Sequence, residues 1–160
     1  MKSALGDAES PRAESRDERL DRNLTELLQE LRVALPGVQV LFAFLLVVPF
    51  NQRFTATNPG QRAVYFVTLL LTAAASVFLI APSVHHRVQF RRQQKEEIVI
   101  VGNGLAVIGL ALLAAAMTGA VVLVTDFLAG DGAAAIAGGL LLLLFAGIWY
   151  VLPIGHRGRG

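Results

Sequence analysis

The chain contains no cysteine. Disulfides, cysteine-ligated zinc and iron–sulfur centres are therefore excluded, and the usual clue to redox compartment goes with them. Charge is also scarce, at 16% of residues, against ~25% in an ordinary soluble chain. What charge there is nearly cancels, leaving a formal net of +2. That is too little to imply a polyanionic partner, and nucleic acid is not expected. No Gly-rich phosphate loop, Ser-His-Asp set or facing carboxylate pair can be read, so neither an enzyme nor a cofactor is expected. The first 32 residues are highly charged rather than a short basic region followed by an apolar core. A secretory signal is not expected either.

What is abundant is apolar surface. Hydrophobic residues make up 54% of the 160, a length suited to one domain. They gather into four runs without a charge: 33–50, 63–84, 98–125 and 133–154. Crossing a hydrocarbon layer of ~30 Å takes about 20 helical residues. Three runs are long enough outright, and the first can borrow Leu31. Lipid offers no partner to an unpaired backbone group, so such runs must be helical. The expected fold is an all-α membrane protein with four transmembrane helices, preceded by a cytoplasmic amphipathic helix.

That leading helix is read at residues 15–35. Ser15-Arg16-Asp17-Glu18 has the spacing of a capping box. Leu20, Leu24, Leu27, Leu28, Leu31 and Leu35 then share an arc of roughly 100°. Arg22, Glu26, Gln29, Glu30 and Arg32 occupy the other face. Pro36-Gly37 follows as a bend or break. Residues 1–14 are small, polar and aperiodic, the pattern of a disordered tail, and residues 155–160 form a short second tail.

Orientation is read from Lys and Arg alone. Six lie before the first run, two in the loop 51–62, four in the hairpin 85–97 and two in the C-terminal tail. With both termini in the cytoplasm, twelve are inside and two outside. Tyr65, Trp149 and Tyr150 fit interfacial aromatic belts.

The hairpin "HHRVQFRRQQKEE" invites sharper readings. Adjacent His85 and His86 lack the i, i+4 spacing that puts two rings on one helix face, so no metal is expected. Arg87, Arg91, Arg92 and Lys95 have one aromatic neighbour, Phe90, and two glutamates close the stretch. Anionic lipid headgroups are the better partner, at about 1 kcal/mol per basic residue near the surface. Asp126, at the end of the third run, is a transport candidate because intramembrane carboxylates are functional by default; its neighbours place it near the headgroups. Asp131 is read as the cap of span four. Gln39 and Asn103 are expected to face other helices and could bond each other, as packing groups or on a transport path. Gly104, Ala111, Ala115 and Gly119, with Ala135 and Gly139 in span four, form small-residue stripes for helix packing or a homo-oligomer seam.

The stretch "ELLQELRVALPGVQVLFAFLLVVPF" (Glu26–Phe50), the turn "FNQRF" and the hairpin together resemble a bacterial family of small four-span membrane proteins of unknown function. Its members are often labelled sodium:proton antiporters by automatic naming. The resemblance implies an inner-membrane location and supplies no catalytic residue. An exchanger needs a titratable group near mid-bilayer reachable from both sides, and no span carries one. The expected role is an accessory or interaction component with a membrane-protein partner or a second copy of itself. The competing role is a small oligomeric cation or proton transporter using Asp126, Gln39 and Asn103.

Overall fold

The computed structural model describes residues 16–89 and 95–151. They form α1 (Arg16–Val47), two short 3-10 turns (Val48–Phe50 and Gln52–Ala56), α2 (Pro59–Gln89), α3 (Lys95–Ala129) and α4 (Asp131–Ala146). A single π turn (Gly147–Val151) continues α4. No strand occurs among the described residues. Four stretches are long and apolar enough to cross a membrane: Thr25–Phe50, Pro59–Val84, Ile100–Ala129 and Asp131–Trp149. The chain is an all-α, multi-pass membrane protein. The tails at 1–14 and 155–160 lie outside the described residues.

The first helix differs from the sequence reading. Pro36 does not break it, so the leucine-faced segment and span one are one continuous helix. Proline removes one N–H and crowds the carbonyl four residues back, here that of Arg32. Pro36 sits on the exposed side of α1, and Arg32 lies at the charged end where polar groups can reach the freed carbonyl. Part of the leucine face packs within the chain. Leu27 and Leu31 are buried in a cluster with Val38, Ala75, Leu79, Ala106 and Leu113. Arg22 and Glu26 on the other side form an exposed i, i+4 ion pair at 3.7 Å.

The core is a seam between α2 and α3. Tyr65, Thr68, Thr72, Ala75, Leu79 and Pro82 are the buried positions of α2 among the residues whose side chains are described. Gly102, Ala106, Gly109, Leu113 and Ala116 are those that α3 turns toward them and α1. Both series alternate steps of three and four, the spacing that keeps two left-handed supercoiled helices in register. An alanine methyl at Gly109 would stand 2.8 Å from Leu79 Cδ2 and 3.2 Å from its backbone nitrogen. Glycine at 109 therefore sets how closely the two backbones approach. Gly102 lies opposite Leu27 and Pro82, and Gly119 lies against Thr68. The order of these contacts makes α2 and α3 antiparallel.

The small-residue stripes are only partly used for packing. Gly104 and Ala111 are exposed, and nothing lies within 4 Å of a side chain built at Gly104. The face that meets α2 along most of α3 is centred roughly 140° from that stripe at 100° per residue, while the stripe's C-terminal end packs: Gly119 lies against Thr68, and Val122 on the same side meets Gly138 of α4. In α4, Ala134 and Gly138 are buried against α3, whereas Ala135 and Gly139 are exposed. Alanine is as comfortable against lipid tails as against a helix, so size alone does not mark the contact face. Among the described residues, α4 packs on α3 and touches neither α1 nor α2.

Candidate functional site

Polar chemistry concentrates where α1 ends, α2 begins and α3 hands over to α4. The loop between α1 and α2 is built by short side-chain caps. Asn51 Oδ1 accepts from the Arg53 N–H at 3.0 Å. Thr55 and Thr57 donate their hydroxyls to the carbonyls of Gln52 and Phe54. Asn58 then starts α2 with Pro59 at the first helical position, where a missing N–H costs nothing. Its Oδ1 accepts from Gln61 N–H at 2.8 Å, and Gln61 Oε1 accepts from the Asn58 N–H at 3.0 Å. This is a reciprocal capping box. "NPGQ" at 58–61 carried its signal in the sequence, an Asn followed three residues later by Gln before an apolar run, and the sequence reading missed it.

Gln61 does more than cap. Its Nε2 donates to Asp126 Oδ2 at 3.0 Å, joining the start of α2 to the end of α3. Asp131 stands beside Asp126 across the turn between α3 and α4. Gly130 makes that turn with a φ of +83°, a backbone conformation that suits glycine. Gly130 is also the N-cap of α4 and no side chain caps it. Asp131, expected as the cap, is instead the first residue of the helix. Its negative charge there meets the positive end of the helix dipole.

The loop's two arginines differ. Arg62 Nε donates to Thr57 Oγ1 and its NH2 to the Thr55 carbonyl, both at 3.2 Å. Arg62 therefore holds the loop in shape. Arg53 has only its backbone N–H engaged among the described residues, and its side chain edges an open groove of about 640 Å³. Phe44 and Val47 of α1 and Leu123, Val124 and Phe127 of α3 form the groove's walls, with Asn51, Thr57 and Gln61 on its rim.

Tyr65, expected in an aromatic belt, is buried. Its hydroxyl donates to the Leu45 carbonyl at 2.9 Å, and its ring meets Phe54 edge-on at 5.2 Å. The residue four beyond Leu45 is Pro49, which has no N–H to offer that carbonyl. Tyr65 supplies the missing donor. Trp149 packs edge-on against Phe145 at 4.8 Å.

The expected transport or packing residues do not line one path. Asp126 belongs to the loop end, tied to Gln61. Gln39 and Asn103 are both exposed, not turned to other helices. They cannot bond each other: Gly102 packs at the level of Leu27, and twelve residues of α1 separate Leu27 from Gln39, roughly 18 Å of helical rise. The threonine and serine hydroxyls inside the spans are satisfied within their own helices: Thr68, Thr72, Ser76 and Thr118 each donate to the carbonyl four residues back. Arg87 falls in the last turn of α2 and Lys95 opens α3. Arg91 and Arg92 lie outside the described residues.

Residues 13–153 match the model of a family described as "Family of unknown function (DUF6328)". The chain belongs to that family. The match spans nearly the whole membrane-crossing part, including α1, the capped loop and Asp126. No curated protein and no solved structure matches the chain. Membership of this family assigns no activity, so any functional reading must come from the side chains.

Proposed function

We propose that this member of the family is a non-enzymatic accessory component of a bacterial plasma membrane, which joins a partner protein through the outward face of α1. The observation that carries this reading is Gln39. It is exposed on α1, eleven residues from the end of the span at Phe50, roughly 16 Å by helical rise. That depth is close to the middle of a hydrocarbon layer of ~30 Å. On the same face, about one turn to either side, Pro36 and Ala43 are also exposed, and exposed Leu46 extends that face a further turn. A primary amide facing only acyl chains loses its hydrogen bonds. A second membrane helix that offers an amide or hydroxyl restores them, and the small side chain of Ala43 lets that helix come close.

In this reading the arginine-rich ends of α1, α2 and α3 face the cytoplasm. Arg87, Arg91, Arg92 and Lys95 then meet anionic headgroups of the inner leaflet. The partner is another membrane protein or a second copy of the chain.

Interhelical side-chain bonds in membranes contribute about 1–2 kcal/mol, so Gln39→Leu should weaken association roughly 5- to 30-fold while leaving the fold intact. The check is quantitative co-purification from native membranes, with Gln39→Asn as the conservative control. Loss of partner or self-association with Gln39→Leu and its retention with Gln39→Asn is expected. Identical complexes from the wild type and Gln39→Leu would remove Gln39 from the interface.

A further inference from the structure

We propose that the groove at the loop end is a phospholipid site, in which Arg53 binds the phosphate and one acyl chain lies between α1 and α3. The volume, about 640 Å³, falls within the roughly 300–1,000 Å³ typical of small-molecule sites. Its chemistry is split along its length. The walls are hydrocarbon, from Phe44 and Val47 on one side and Leu123 and Val124 on the other. The rim carries a cation and amide donors, chiefly Arg53 and Asn51. A ligand that fits both halves has an anionic head and an apolar tail.

Charge decides the kind of head. No ion pair or hydrogen bond engages the Arg53 side chain among the described residues. The carboxylate of Asp126 is not part of the groove's lining; it accepts from Gln61. Arg53 is therefore a cation at the mouth of an apolar cleft without an internal counterion. A guanidinium presents a planar fork of donors that matches two phosphate oxygens at once. The Asn51 cap fixes the Arg53 backbone at the rim, so the head's position is set by the loop's own fold. Arg62, only nine residues on, is held by Thr57 and Thr55. The loop thus separates a structural arginine from a ligand-binding one.

A phospholipid is favoured over a peptide because the groove's walls are side chains on helices, whose backbone groups are already paired. A bound peptide would leave its own amides without partners in the apolar half. The ligand would sit in one leaflet, at the depth where headgroup gives way to hydrocarbon. It is a held molecule, distinct from the exchanging lipid around the rest of the bundle.

The test is native mass spectrometry of the full chain, delipidated in maltoside detergent and titrated with dioleoyl phosphatidylglycerol. One lipid should bind the wild type with saturating occupancy. Arg53→Gln should lower that occupancy at least fivefold at equal lipid, Arg53→Lys should lower it less, and Arg32→Gln should leave it unchanged. Thermal melting by circular dichroism confirms that Arg53→Gln is folded. Dioleoylglycerol, which has the same chains without the phosphate, should bind no better to the wild type than to Arg53→Gln. The proposal is overturned if the wild type binds no lipid stoichiometrically, if Arg53→Gln binds it equally well, or if dioleoylglycerol binds as tightly as the phospholipid.

Discussion

Replacing Gly109 with leucine is expected to cause the largest loss of stability of any single change in the helix bundle. The first added carbon already lies 2.8 Å from two atoms of the Leu79 side chain. Leu79 is fully buried and cannot swing away without displacing the cluster it belongs to. Overpacking of this kind costs about 1–3 kcal/mol in well-packed interiors. Here the upper part of that range is expected, because the Leu79 backbone nitrogen, at 3.2 Å, cannot yield like a side chain. Melting of the detergent-solubilised chain, followed by circular dichroism, should show a clear fall in midpoint. Adding Leu79→Ala to Gly109→Leu should restore part of the loss, and the non-additivity measures the contact. Gly104→Leu is the control: nothing lies within 4 Å of a side chain there, and its midpoint should match the wild type. Equal stability of both glycine variants would mean that α2 and α3 do not meet at Gly109.

Tyr65→Phe is the second large effect, and it isolates one hydrogen bond. The ring keeps its edge-on packing with Phe54 at 5.2 Å, while the donor to the Leu45 carbonyl disappears. Pro49 has no N–H to replace it, and Leu45 is buried. An orphaned buried acceptor costs about 1–3 kcal/mol. The loss should be concentrated at the end of α1, so hydrogen exchange should quicken at Val47 and Val48 before the rest of the helix. Unchanged exchange there would show that the carbonyl finds another donor.

Much of the fold was legible in the sequence. Uncharged runs of membrane length are a direct physical requirement of lipid, and all four appear as helices. The details inside those runs were not. In a span that is apolar all round, the face that packs and the face that meets lipid have the same polarity, so periodicity falls silent. Gly104 and Gly109 look alike in the sequence, yet only Gly109 meets another helix. Gln39 and Asn103 were assigned inward because an amide in lipid is costly, and both face outward.

The loop-end cluster was only half legible. Asp126 stood out as a carboxylate at the edge of a run. Its tie to Gln61 depends on a contact between residues 65 positions apart, which no local pattern encodes. The capping box at Asn58 and Gln61 is local and could have been read. Pro36 shows the opposite failure. A proline signals a break in water-soluble helices, but membrane helices tolerate it where the freed carbonyl finds other partners.

Because the chain has no cysteine of its own, a single introduced thiol reports on one position alone. Ala56, exposed in the loop before α2, and Gln29, exposed near the charged end of α1, lie at opposite ends of the bundle. In intact cells an impermeant thiol reagent should label Ala56→Cys at once and Gln29→Cys only after lysis. Reversed labelling would overturn the orientation, and equal labelling of both positions in intact cells would contradict the claim that these helices cross a membrane.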